Sequence, residues 1–264
     1  MQTFIFTVAK ATIIQCLGVF GLFFLFGFVL YLLQKYIQKL YTSTVGWKGI
    51  LFTAWIGTPI HEFSHVILAK LFRYEITDVA IFRPNKETGG LGHVEYSFKK
   101  WSVIQRIGRF FVGAAPMIIG SIFLALIFRF LMPNGSSLFL LPTNETNTLT
   151  TIYESTIRTL TTLFSFKQFS SWNFWLTLYI SFCIASHIAP SKQDRKQMWS
   201  GLVWLLVFLG IVNAIALWAG VNITELILKT NHFLGVFTAM FTYAVVISFL
   251  HLLITTIILK PFSR

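Results

Sequence analysis

The chain has 264 residues, of which 55% are hydrophobic and 11% charged, and its formal net charge is +12. A soluble globular domain usually carries about 25% charged residues, so an ordinary soluble domain is excluded. Nucleic-acid binding is excluded as well, because Lys and Arg flank the apolar runs, as they do in membrane proteins, and form no single stripe.

Five runs contain no Asp, Glu, Lys or Arg: 11–34, 110–128, 168–191, 197–224 and 230–259. A helix of about 18 or more apolar residues can cross the roughly 30 Å hydrocarbon core. Together with a less apolar stretch at 49–72 they predict an all-α polytopic membrane protein of six spans, about 12–34, 49–72, 108–131, 172–190, 197–221 and 233–259. The whole chain, 1–264, reads as one transmembrane domain embedded in a lipid bilayer, with a catalytic core at about 49–196. The first run is too long for the apolar part of a cleavable signal peptide. Cys16 and Cys183 fall inside apolar runs and read as buried thiols.

The second stretch departs from the others. Its apolar part, 49–60, is too short to span, and His61, Glu62 and His65 follow before Lys70 and Arg73. Ionisable side chains at membrane depth are costly and mark function. After it, 76–82 and 93–98 are β-prone and bracket turn residues that include Gly89 and Gly90, which predicts a membrane-associated hairpin over 75–98. Residues 132–171 form a polar outer loop rich in Ser, Thr and Asn, with amphipathic stretches near 150–164. With six spans, fourteen Lys and Arg fall on the side of the termini and the hairpin, against seven on the other. That asymmetry predicts that both termini and the hairpin are cytoplasmic, in the cell membrane if the source is bacterial.

His61-Glu62-Phe63-Ser64-His65 is an H-E-x-x-H motif. Histidines at i and i+4 share one helical face and can hold one zinc ion, and the offset Glu62 can take a proton from a water that zinc acidifies. With six His and seven Glu in the chain, chance gives about 0.004 such matches. Two histidines packed in a core are the plain alternative, but they leave Glu62 unpaired in lipid. Pro59 predicts an opening or kink just before the motif.

A third ligand must come from few acids. Glu75, Asp78, Glu87 and Glu95 belong to the hairpin, Glu145 and Glu154 to the outer loop, and Glu225 lies near the outer end of the fifth span. Asp194, at the break between spans four and five, is the candidate. A solvated carboxylate paired with Lys192 or Arg195 is its alternative. His187 is a candidate neighbour of the site or a water-facing polar residue. His93 reads as a hairpin surface residue, His232 as interfacial, and His251 as a partner in an interhelical hydrogen bond.

These residues resemble the site-2 protease family of intramembrane zinc metalloproteases. The resemblance rests on His61-Glu62-Phe63-Ser64-His65, on Gly113, Pro116 and Gly120 in the third span, and on Ala189-Pro190 through Asp194. It covers about half the chain. It implies that His61, His65 and Asp194 bind zinc, that Glu62 is the catalytic acid/base, and that the hairpin helps admit a membrane-spanning protein substrate. Arg195 stands after Asp194 where the family has Gly, which marks a divergent branch. The expected activity is hydrolysis of a peptide bond of that substrate near the cytoplasmic side. Unwound substrate needs new backbone partners, and the strand through Val94 and Tyr96 is the edge expected to supply them. A catalytically silent metal-binding scaffold or regulator of the same fold is the alternative. A diiron hydroxylase needs more histidines than the chain has, and a transporter leaves the H-E-x-x-H spacing unexplained.

Overall fold

The computed structural model describes residues 2–132, 148–221 and 231–262. In chain order the elements are α1 (Gln2–Thr44), α2 (Trp47–Leu71), β1 (Glu75–Ala80), β2 (His93–Ser97), α3 (Val103–Gly113), α4 (Ala115–Leu131), α5 (Thr148–Leu163), α6 (Phe166–Phe169), α7 (Trp172–Ala185), α8 (Lys192–Trp218) and α9 (Asn231–Leu259), with a 3-10 turn at Lys260–Phe262. The described residues are thus mostly helical, with one small antiparallel sheet.

Among the described residues, three helical stretches are long and apolar enough to cross a membrane: Gln2–Thr44, Lys192–Trp218 and Gly235–Phe262. A fourth exists if α3 and α4, which bend by 53° at their junction, form one broken span. The second and fourth expected spans fall short for different reasons. α2 has the length, at 25 residues, but His61, Glu62, His65 and its lysines dilute its apolarity. α7 has only 14 residues, roughly 21 Å of helix, because the chain turns at Ser186 and reaches Pro190 before α8 begins. α5 occupies the amphipathic part of the expected outer loop, and 133–147 lies outside the described residues.

The outer faces are apolar. On α8, Val203, Val207, Ile211 and Ile215 are all exposed at a spacing of four, which lines one helix face with aliphatic side chains. Phe23, Phe110, Met117, Phe128, Ile188 and Phe241 are buried in the main core. Backbones meet closely there: a Cβ on Gly201 would stand 2.0 Å from the Phe110 nitrogen, so α3 and α8 touch through a bare glycine. Buried amides clasp α1 to α8, with Gln15 Nε2 donating to Asn213 Oδ1 (2.9 Å) and Asn213 Nδ2 to Gln15 Oε1 (2.8 Å).

Helices α1 and α9 run in the same direction. Phe23 meets Phe237 and Phe241, and eighteen residues further along α1 Tyr41 meets His251. The hairpin residue Leu91 packs in a cluster with Ile37, Tyr41 and Leu259. The hairpin tip and the end of α9 therefore sit at the late end of α1, with Gln2 at its early end. This differs from the expected arrangement, which groups both termini; the cause is that the first and last long helices are parallel.

The hairpin spans 75–97. β1 and β2 pair antiparallel, Glu75 with Ser97 through Ala80 with His93, with a register shift between Ile76 and Asp78. Its turn is built by Asn85, whose Oδ1 accepts from the amides of Glu87 (2.8 Å) and Thr88 (3.2 Å). Gly89 follows at φ +71°, a left-handed conformation that favours glycine.

Candidate metal centre

α2 runs unbroken from Trp47 to Leu71 with Pro59 inside it. The opening expected at Pro59 is not seen. The continuous helix stacks His61 and His65 one turn apart, as i and i+4 positions require. Asp194 arrives from the other side of the sequence. It is the third residue of α8, and Ser191 caps that helix: Ser191 Oγ accepts from the Asp194 amide (3.2 Å), and Asp194 Oδ2 accepts from the Ser191 amide (2.8 Å). This reciprocal capping box satisfies two otherwise orphaned donors and fixes the carboxylate.

The three side chains converge. His61 Nε2 lies 3.6 Å from Asp194 Oδ2, His65 Nε2 lies 3.3 Å from Asp194 Oδ1, and the two Nε2 atoms are 3.3 Å apart. Among the described residues, this is the group of three His, Cys, Asp or Glu side chains placed to hold one ion. The other ring nitrogens settle the tautomers. His61 Nδ1 is 2.6 Å from the His187 carbonyl and His65 Nδ1 is 3.0 Å from the Val112 carbonyl. A carbonyl only accepts, so both Nδ1 atoms carry a proton, and in the neutral imidazoles that bind a metal both Nε2 atoms present lone pairs. Two lone pairs and a carboxylate thus point at one place with no donor among them, an arrangement that a cation relieves. Zinc holds such ligands at about 2.0–2.1 Å in a tetrahedron, which puts ligand atoms roughly 3.3–3.4 Å apart; two of the three observed spacings are 3.3 Å and the third, 3.6 Å, is slightly longer. The donor set, imidazole and carboxylate with carbonyls bracing the imidazoles, is one that zinc takes.

The solvated alternative for Asp194 does not describe this geometry. Asp194 is buried, and Arg195 instead donates to the Pro190 carbonyl (2.8 Å) and covers the Tyr31 ring at 4.1 Å. Glu62 is buried beside the ligands. It lines a cavity of about 460 Å³ together with Thr58, His61, His187 and Gly92. The hairpin reaches this point: a Cβ on Gly92 would stand 2.9 Å from Glu62 Cγ and 2.7 Å from the Ala80 carbonyl. Only glycine allows that approach.

Val94 and Tyr96 are not brought to the group formed by His61, His65 and Asp194. They line a second cavity of about 420 Å³ with Arg109, Gln193 and Gln197. Tyr96 donates to Gln197 Oε1 (2.5 Å), and burial pushes its phenol up to about 12. β2 nonetheless has one side with no strand beside it among the described residues. His93 lies out on the hairpin, 2.9 Å from Asp78, and its hydrogen bond holds that carboxyl below its ordinary value. His251 makes interhelical bonds to Tyr41 (2.9 Å) and Ser186 (2.6 Å). His187 sits in the turn after α7, against Gly57. Glu145 and Glu225 lie outside the described residues, as does the side chain of His232.

Two contributions were not anticipated from the sequence. Ser191 orients Asp194, and Ser191-Lys-Gln-Asp194 is a capping-box pattern that could have signalled it. The carbonyls of His187 and Val112 brace the histidines, and backbone groups leave no mark in a sequence. No family model, no curated protein and no solved structure matches this chain.

Proposed function

We propose that this chain is an intramembrane zinc metalloprotease of the site-2 protease kind, hydrolysing a peptide bond of a membrane-spanning protein near the cytoplasmic side. One observation carries the reading. His61, His65 and Asp194, from helices more than a hundred residues apart in sequence, bring three metal-ligating atoms within 4.8 Å of one another, beside a buried glutamate.

In this reading His61, His65 and Asp194 hold zinc. When bound, zinc supplies Lewis acidity, making a water easier to deprotonate and a carbonyl more electrophilic. The chain's own groups do the rest. Glu62 takes a proton from the attacking water and returns it to the leaving amine. The carbonyls of His187 and Val112 keep the imidazoles in the required tautomer. The hairpin, held against Glu62 through Gly92, covers the site and offers the free side of β2 to unwound substrate. α2 and α7 pack in company with the longer helices; because α1 and α9 run in the same direction, the full crossings are odd in number and the six expected spans do not all cross. The hairpin faces the cytoplasm, as its Lys and Arg favour.

A silent metal-holding scaffold has no use for a buried carboxylate beside the ligands, so Glu62 favours an enzyme. The test compares membranes from cells carrying the wild-type chain and Glu62→Gln. A single-span protein should accumulate uncut in the variant. An unchanged membrane proteome, with zinc retained in both proteins, would leave the scaffold as the better account.

A further inference from the structure

Three residues that line the cavity beside Glu62 carry buried polar side-chain atoms that the mechanism above does not use. Thr58 Oγ1, His187 Nε2 and Gln34 Oε1 are buried, and none has a hydrogen-bond partner among the described residues. All three residues line this one cavity. A buried polar atom left unpaired costs roughly 1–3 kcal/mol, so three around one space call for a ligand that pairs them.

Their chemistry states what that ligand offers. His187 Nδ1 lies 3.0 Å from the Cys183 carbonyl, so it carries the proton, and Nε2 is a bare acceptor. The ring cannot turn away, because Gly57 closes it in: a Cβ there would stand 2.5 Å from His187 Nδ1. Thr58 sits on α2 one turn before Glu62, on the same helical face. Its hydroxyl donates or accepts. His187 and Thr58 are 94% and 97% buried, the complements of 6% and 3% exposure. Gln34 contributes from α1 on the same cavity.

From this geometry we propose that Thr58 and His187 form a substrate subsite that receives a backbone N–H of the unwound peptide next to Glu62. His187 Nε2 accepts that N–H, and the Thr58 hydroxyl pairs with the adjoining peptide group. The proposal rests on the protease reading and adds a wall to it. The free side of β2 and this α2–α7 wall are separate surfaces, and only the wall opens into the Glu62 cavity.

An extended peptide has one N–H per residue, so the subsite predicts a single sensitive position. The probe is a fluorescent ten-residue Leu/Ala peptide, bound to the Glu62→Gln protein in detergent so that nothing is cut. A series in which one amide at a time is N-methylated identifies the position. One N-methyl should weaken binding about ten-fold, the loss expected for a buried hydrogen bond worth about 1.4 kcal/mol. His187→Phe should weaken the parent peptide about ten-fold and bind that methylated peptide no worse than the parent. His187→Gln, which restores an acceptor, should recover most of the loss. Thr58→Val, nearly isosteric, should cost about three-fold or more and keeps the test alive if His187→Phe fails to fold. Zinc content is measured in every sample. If peptide binds but no N-methyl effect is lost in His187→Phe or Thr58→Val, water alone serves these atoms and the subsite is refuted. If wild-type-level zinc is present and the peptide does not bind, the subsite falls while the metal centre stands. If zinc is absent, the metal centre itself falls.

Discussion

Gly57→Ala concentrates the reasoning in one methyl group. A Cβ on Gly57 would stand 2.2 Å from the Cys183 carbonyl oxygen and 2.5 Å from His187 Nδ1. Ordinary contact begins at 3.4 Å, so α2 and α7 must separate by about 1.2 Å, from 3.4 minus 2.2, a shift that backbone on both sides resists. Overpacking of this kind costs typically 1–3 kcal/mol. The larger effect falls on the site. The Cys183 carbonyl accepts from His187 Nδ1, and the His187 carbonyl accepts from His61 Nδ1 at 2.6 Å. Displacing α7 lengthens that last bond, and loss of such a partner typically lowers metal affinity 10–100-fold. Chelator competition on purified protein measures the affinity, and thermal unfolding in detergent measures the packing cost. Zinc affinity within two-fold of wild type would refute the idea that α7 orients His61.

The cap gives a second prediction: Ser191→Ala removes the acceptor for the Asp194 amide, should cost about 0.5–2 kcal/mol of stability, and should weaken zinc binding about ten-fold, whereas Ser191→Thr should keep both. Gly92→Ala should slow peptide cleavage ten-fold or more with zinc content unchanged, because the hairpin must retreat from Glu62; cleavage at the wild-type rate would show that the hairpin's approach is idle. Single cysteines introduced at Thr3, Thr88 and Lys260, labelled from either side of sealed vesicles, test the helix directions: Thr88 and Lys260 should label together from the cytoplasmic side and Thr3 from the other, while all three labelling together would restore a layout with both termini on one side.

Much of the site was legible because its chemistry is local in sequence. His61, Glu62 and His65 lie within five residues, so helical periodicity alone puts both imidazoles on one face. Asp194 was reachable by elimination among nine acids and through the family resemblance, and its convergence on His65 is a fact of tertiary packing between α2 and α8. The strands were readable from β-propensity and turn residues, yet their placement was not. Gly92 touches Glu62, while Val94 and Tyr96, two and four residues on, line a different cavity. The count of spans was the least secure reading. Apolar runs report length, whereas the turn at Ser186 and the bend between α3 and α4 come from how helices pack. Pro59 misled in the opposite sense, since α2 continues as one helix through it.

The account stands on three side chains sharing one metal ion, and the zinc content of purified protein tests that most directly. The wild-type chain should carry about one zinc per molecule, Glu62→Gln should keep it, and His61→Ala/His65→Ala and Asp194→Ala should each lose it. Full zinc in Asp194→Ala would remove the residue that joins α8 to the motif, and full zinc in the double histidine variant would contradict the centre as a whole.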